Sequence, residues 1–207
     1  MKKGMTVTYL VGNALYVNVT NKCTNRCDFC IRNNGDSAYG SDSLWLEREP
    51  TVDEICDSIF THELNKLDEL VFCGFGEPSM RLLDCRAVAL RVKERCPALK
   101  VRINTNGHSD LILKTDSAPL YKDAFDVVSI SLNSATSEGY DEICHPVYGK
   151  TAFAAILTFA QNVKNYVPIV AFSVVDEFLK PGELALAQQL ADKAGIKLRV
   201  REYVSGN

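Results

Sequence analysis

From residue 50 onward the sequence alternates between short β-branched runs and longer helical stretches about six times, and no other feature narrows the fold as much. Strand-like runs lie at 69–73, 99–106, 126–133, 169–175 and 197–204. Helices are predicted from Thr51 to about His62, over 81–96, 137–143 and 151–165, and from Pro181-Gly182 to Ala194, with an irregular helical stretch ending near Tyr121. Thr51 with Glu54 three residues on is a capping-box start. Ahead of this rhythm, Thr6–Val11 and Ala14–Asn21 alternate around Gly12-Asn13, a two-residue hairpin signal. Strand and helix in regular succession imply βα units on a parallel sheet, in a single domain spanning 1–207.

A parallel sheet covered on both faces should be apolar on both. These strands are not. Asn18 and Thr20 share a face, as do Arg102, Asn104 and Asn106, then Ser129, Ser131 and Asn133, and finally Arg199 and Arg201. Val128, Ile130 and Leu132, or Leu198 and Val200, occupy the opposite faces. Because side chains alternate across a strand, each polar set projects in one direction. The expectation is a curved, incomplete barrel of strands, convex side under helices and concave side open to a polar ligand.

Composition excludes several classes. A net charge of −3 gives no basic nucleic-acid-binding tail. No apolar run approaches the ~18 residues of a membrane span. The start, Met1-Lys2-Lys3-Gly4-Met5, leads into alternating residues and not an apolar signal core, so a cytoplasmic protein is expected. In that reducing setting eight cysteines are not a disulfide framework.

Three of the eight are crowded together: Cys23, Cys27 and Cys30 form Cys-x3-Cys-x2-Cys, directly after the second strand-like run. Structural zinc favours four ligands in two spaced pairs, and no second pair is present. A zinc site completed by a distant His or Asp stays open. Three thiolates can alternatively hold three irons of a [4Fe-4S] cluster and leave the fourth iron to an outside ligand.

This cysteine spacing, with aromatic Phe29 before the last cysteine, resembles the signature of the radical S-adenosylmethionine (radical SAM) superfamily. Gly74-Phe75-Gly76-Glu77-Pro78 resembles that family's Gly-Gly-Glu-Pro motif, with Phe75 in the place of its first glycine. Asn21-Lys22-Cys23-Thr24-Asn25-Arg26-Cys27 and Phe72–Pro78 together are most similar to short TatD-associated radical SAM proteins. The resemblance implies a partial (β/α)6 TIM-type barrel with an N-terminal β-hairpin. It implies a [4Fe-4S] cluster on Cys23, Cys27 and Cys30, and S-adenosylmethionine on the fourth iron. Glu77, or carbonyls of its loop, would accept from the methionyl amino group, and Gly76 would permit close backbone approach. Phe29 would pack near the adenine. Ser131 and Asn133 would meet the ribose, with Asn104 and Asn106 at the same rim. Arg102, Arg199 or, first among them, Arg201 would meet the carboxylate or an anionic substrate. Reductive cleavage to a 5′-deoxyadenosyl radical, hydrogen abstraction from a small-molecule or nucleotide-like substrate and an external flavodoxin- or ferredoxin-type electron donor complete what it implies.

The other cysteines read mainly as small buried hydrophobes, Cys85 and Cys96 on one helical stripe and Cys56 beside Ile59. Cys73 and Cys144 adjoin the motif loops. His108 and His145 carry no assigned role, and Trp45, Tyr39 and Arg48 lie in or beside the long polar stretch 31–50, a substrate entrance or a packed loop. A glycyl-radical-type activating enzyme acting on a protein partner, an iron–sulfur electron carrier and a zinc-stabilised binding module are the alternatives.

Overall fold

In the computed structural model, residues 3–203 are described; Val204, the expected end of the last strand, lies outside them. The chain opens with an antiparallel hairpin, β1 (Thr8–Val11) and β2 (Ala14–Val17). Gly12 takes φ +59° at the first turn position, where only a residue without Cβ is unstrained. Five further strands follow, each parallel to the one before: β3 (Glu69–Phe72), β4 (Lys100–Thr105), β5 (Val127–Ser131), β6 (Ile169–Val175) and β7 (Lys197–Arg201). Their order in the sheet is their order in the chain, β1 through β7, and the sheet is open. Counting β2 to β7, this is the expected six-stranded partial barrel with its hairpin.

Six α-helices accompany the strands: α1 (Val52–Phe60), α2 (Leu82–Arg95), α3 (Ser109–Leu113), α4 (Ser137–Cys144), α5 (Thr151–Val163) and α6 (Glu183–Ala194). The capping box forms as expected: Glu54 N–H donates to Thr51 Oγ1 at 3.2 Å, and Thr51 N–H to Glu54 Oε2 at 2.8 Å. Arg48 pairs with the same carboxylate on the surface. The helices bury the convex face. Leu15, Val17, Leu70, Phe72, Val101, Ile103, Val128, Ile130, Phe172 and Val174 project there, against Ile55, Ile59, Val88, Val92, Ile156 and Phe159. Val200, on the same side of β7, is half exposed, since no described element covers it.

The stretch 31–50 is not a loose entrance. It crosses the hairpin end of the concave face, where Tyr9, Ala38, Leu44 and Phe75 form a second apolar cluster flanked by Trp45. Trp45 meets Phe75 edge-on at 5.1 Å, and Arg32 lies over the indole at 5.8 Å. Phe75 thereby has a packing reason for standing where the motif usually has glycine. Asn18 and Thr20, expected to face a ligand, are consumed by this stretch and its flank. Asn18 Nδ2 donates to Leu44 O (2.8 Å) and Thr6 O, and Thr20 Oγ1 to Glu49 Oε1 at 2.7 Å. A polar face there serves to hold a long loop down.

Candidate functional site

In parallel α/β folds, sites form past the C-terminal strand ends. Here those ends surround a cavity of about 240 Å³. The loop after β2 brings Cys23, Cys27, Phe29 and Cys30; the loop after β3 brings Cys73 to Pro78. Arg102, Asn104 and Asn106 come from β4 and its end, Ser129, Ser131 and Asn133 from β5 and its end, and Arg199 and Arg201 from β7. Every polar residue expected on the concave face of those three strands lines this one space.

The cysteine loop is fastened by main-chain bonds. Arg26 N–H donates to Cys144 O (2.9 Å) and Asp28 N–H to Ile143 O (3.0 Å), so the loop satisfies carbonyls that the end of α4 leaves unpaired. His145, φ +43° just past α4, places Nε2 2.8 Å from Asp28 Oδ1. A buried polar chain secures the other side: Asn106 Nδ2 donates to Thr24 Oγ1 (2.7 Å), Thr24 Oγ1 lies 2.9 Å from His108 Nδ1, and Asn25 Nδ2 donates to Tyr140 Oη at 2.8 Å. Asn106, expected at the ribose, therefore spends its amide nitrogen on positioning the cysteine loop. Its Oδ1 accepts from His108 N–H. Thr24, Asn25, Thr105 and Tyr140 were not legible as site residues, because their partners lie up to 115 positions away.

His108 is fully buried, and desolvation lowers its pKa from 6.5 to about 4. Its unfolded form binds a proton that the folded form refuses between those values, so stability falls as pH drops through that window. Complete passage is worth about 3 kcal/mol. Urea unfolding between pH 7 and 4 is expected to show that loss in the wild type and a flatter profile in His108→Gln; identical profiles would contradict this placement.

Glu77 acts as a clamp. Its Oε1 accepts from Ser79 N–H (2.9 Å) and Thr105 Oγ1 (2.7 Å), and its Oε2 from Asn106 N–H (2.7 Å). Burial raises its pKa above the usual carboxylate range, against those donors. Most of its acceptor sites are thus taken inside the chain. Gly76 also has an internal purpose. A Cβ there would strike the carbonyls of Thr20 and Lys22, so the glycine lets the loop lie against the chain leading into Cys23. Gly76→Ala is expected to cost about 1–3 kcal/mol through this clash, read as a lowered thermal midpoint; an unchanged midpoint would contradict it.

The donor set suits a cationic centre. Burial, with Glu77 nearby, pushes the Cys23 thiol up to about 12, and Cys27 is raised by the adjoining Cys144 thiol and by burial. A bound cation would deprotonate such thiols. Among the described residues, no three His, Cys, Asp or Glu side chains gather around the position of a single ion. A cubane asks for something else, one thiolate on each of three irons. The remaining cavity walls hold polar atoms that lack protein partners: Asn25 Oδ1, Asn133 Oδ1 and Arg201 Nε are buried and unbonded. Asn133, at φ +58°, turns its Nδ2 to Cys144 Sγ at 3.5 Å. Phe29 stacks obliquely on Phe178 at 5.0 Å, which meets Tyr203 at 5.2 Å. Arg102 is not available to a ligand, because Nε and Nη2 form a two-point pair with Glu69 at 3.0 and 2.6 Å. Of the remaining cysteines, Cys56 and Cys85 are buried among apolar side chains as expected.

Comparison with known proteins agrees with this geometry. The Radical SAM superfamily model matches residues 17–186. No curated protein matches the sequence. Among solved structures, a radical SAM methyltransferase from Sphaerobacter thermophilus superposes with TM-score 0.60 at 14% identity, covering 94% of this chain and 68% of that one. SuiB from Streptococcus suis, bound to S-adenosylmethionine, gives 0.62 at 15% identity over 91% of this chain and 38% of its own. Methylornithine synthase (PylB) gives 0.60 at 13% identity over 94% and 54%. At such identities these structures speak for the fold, and the chain spans about half the length of PylB and less of SuiB. The family match covers most of the chain, including the cysteine loop and the Gly76-Glu77-Pro78 turn: the protein belongs to the radical SAM superfamily, enzymes that use a [4Fe-4S] cluster and S-adenosylmethionine.

Proposed function

We propose that this single domain is a cytoplasmic radical SAM enzyme acting on a small molecule, with its cluster on Cys23, Cys27 and Cys30. One observation carries the reading: three cysteines of one fastened loop line a cavity that also holds buried, unbonded polar atoms of Asn25, Asn133 and Arg201. Among the described residues, no helix is long and apolar enough to cross a membrane.

When bound and reduced by an external donor of flavodoxin or ferredoxin type, the cluster and S-adenosylmethionine supply a 5′-deoxyadenosyl radical for hydrogen abstraction. The chain's own residues orient and enclose. Carbonyls of the Gly76–Pro78 loop would accept from the cofactor's ammonium group, with Glu77 holding that loop against the end of β4. Ser131, Asn104 and the unbonded Oδ1 of Asn133 offer polar contacts for the ribose, and Phe29 offers a ring face for the adenine. Asn106 serves through Thr24 as a positioning residue. Ile31, Ala38, Tyr39 and Leu44 of the 31–50 stretch wall one side of the cavity, favouring a small substrate over a protein; SuiB bound to its precursor peptide shares the fold, but this chain spans only 39% of it.

The test is electron paramagnetic resonance of the anaerobically reconstituted, reduced protein. Adding S-adenosylmethionine should change the cluster spectrum, because the cofactor ligates the open iron. A spectrum indifferent to it would leave an electron carrier in place of an enzyme.

A further inference from the structure

Arg201, partly buried, stands apart from the buried charges that line the cavity. Arg102 has Glu69, and Glu77 has three donors. Arg201 reaches inward from the end of β7, and its Nε is buried without a hydrogen bond. Its electrostatic neighbours are the Cys73 thiol, the Tyr39 and Tyr16 phenols and another cation, Arg199. Among the described residues it makes no ion pair; the neighbouring carboxylate of Glu202 also borders the cavity and leaves it unpaired. Burial, and the neighbouring Arg199 cation after it, disfavour the guanidinium's charged form. A partly buried cation without a counter-charge is costly, so its retention in a cavity asks for an anion from outside.

The wall facing it defines the rest of that ligand. Tyr9, Tyr39 and Phe75 line the same space. Tyr39 adopts φ +54°, a left-handed conformation that a bulky side chain enters only under constraint, and Gly40 follows at +75°. The Tyr39 ring lines the cavity, 6.4 Å from Tyr16.

We infer that Arg201 is a specificity-determining residue that binds the oxyanion of the substrate, a small molecule with a carboxylate or phosphate group and a planar apolar body. The inference deepens the proposed function by naming the substrate class, and its binding test needs no reductant. Loss of 5′-deoxyadenosine formation with anion binding intact therefore strikes the proposed function alone.

Calorimetric titration of the cluster-loaded full chain with phenylacetate, phenyl phosphate and neutral phenylacetamide tests it. At least one anion is expected to bind about tenfold or more tightly than the amide, roughly the worth of one charge-assisted contact. The tighter anion identifies the group as carboxylate or phosphate. Arg201→Met should abolish that preference, raise the thermal midpoint of the ligand-free protein by removing an unpaired, partly buried charge, and leave S-adenosylmethionine affinity as in the wild type. Equal binding of amide and anions, no binding of either anion at millimolar concentration, or a lowered midpoint in Arg201→Met would overturn the inference. Weakened S-adenosylmethionine binding in the variant would also overturn it and assign Arg201 to the cofactor.

Discussion

Cys27→Ala is expected to yield a folded protein that holds no more than trace iron after anaerobic reconstitution and forms no detectable 5′-deoxyadenosine. The loop around Cys27 is fixed by the main-chain bonds of Arg26 and Asp28 to α4 and by the Thr24–Asn106–His108 chain, none of which uses the Cys27 side chain. The fold should survive while the cluster does not, since two thiolates leave an iron without its protein ligand. Cys96→Ala, at the end of α2 and away from the cavity, is the matched control and should keep wild-type iron. Full iron and full cleavage in Cys27→Ala would contradict the ligand assignment.

Glu77→Ala should be the most destabilising single change at the site. It removes the acceptor for two backbone N–H groups, of Ser79 and Asn106, and for the Thr105 hydroxyl, in a region closed to water. Each of the three orphaned donors costs about 1–3 kcal/mol, so a loss of at least about 3 kcal/mol is expected in urea unfolding. Glu77→Gln keeps the shape and one oxygen, and should lose about half as much. A Glu77→Ala protein as stable as the wild type would show that the carboxylate does not tie the β3 loop to β4.

The sequence made the sheet readable because its signal is local. The pleat fixes a period of two, so Arg102, Asn104, Ser129, Ser131, Arg199 and Arg201 could be placed on one face before any strand was paired. All six line the cavity. Their partners were not readable, because those depend on how the sheet curves. Arg102 looked as available as Arg201 until Glu69, from the adjacent strand, proved to hold it. Asn18 and Thr20 followed the same period but turned out to anchor the 31–50 stretch. Gly76 and Glu77 were legible as a motif, whereas the carbonyls of Thr20 and Lys22 that make the glycine necessary come from another loop. The positioning residues Thr24, Asn25 and Tyr140 carry no sequence signal of their own, since Thr, Asn and Tyr occur everywhere and only their buried convergence gives them meaning.

The most direct test is to incubate the anaerobically reconstituted protein with dithionite and S-adenosylmethionine and to assay 5′-deoxyadenosine by chromatography. A radical SAM enzyme with its cluster on Cys23, Cys27 and Cys30 should form the product, and should form none when any of the three is replaced by Ala. A fully loaded, reduced cluster that yields no 5′-deoxyadenosine, or a protein that binds zinc in place of iron, would contradict it.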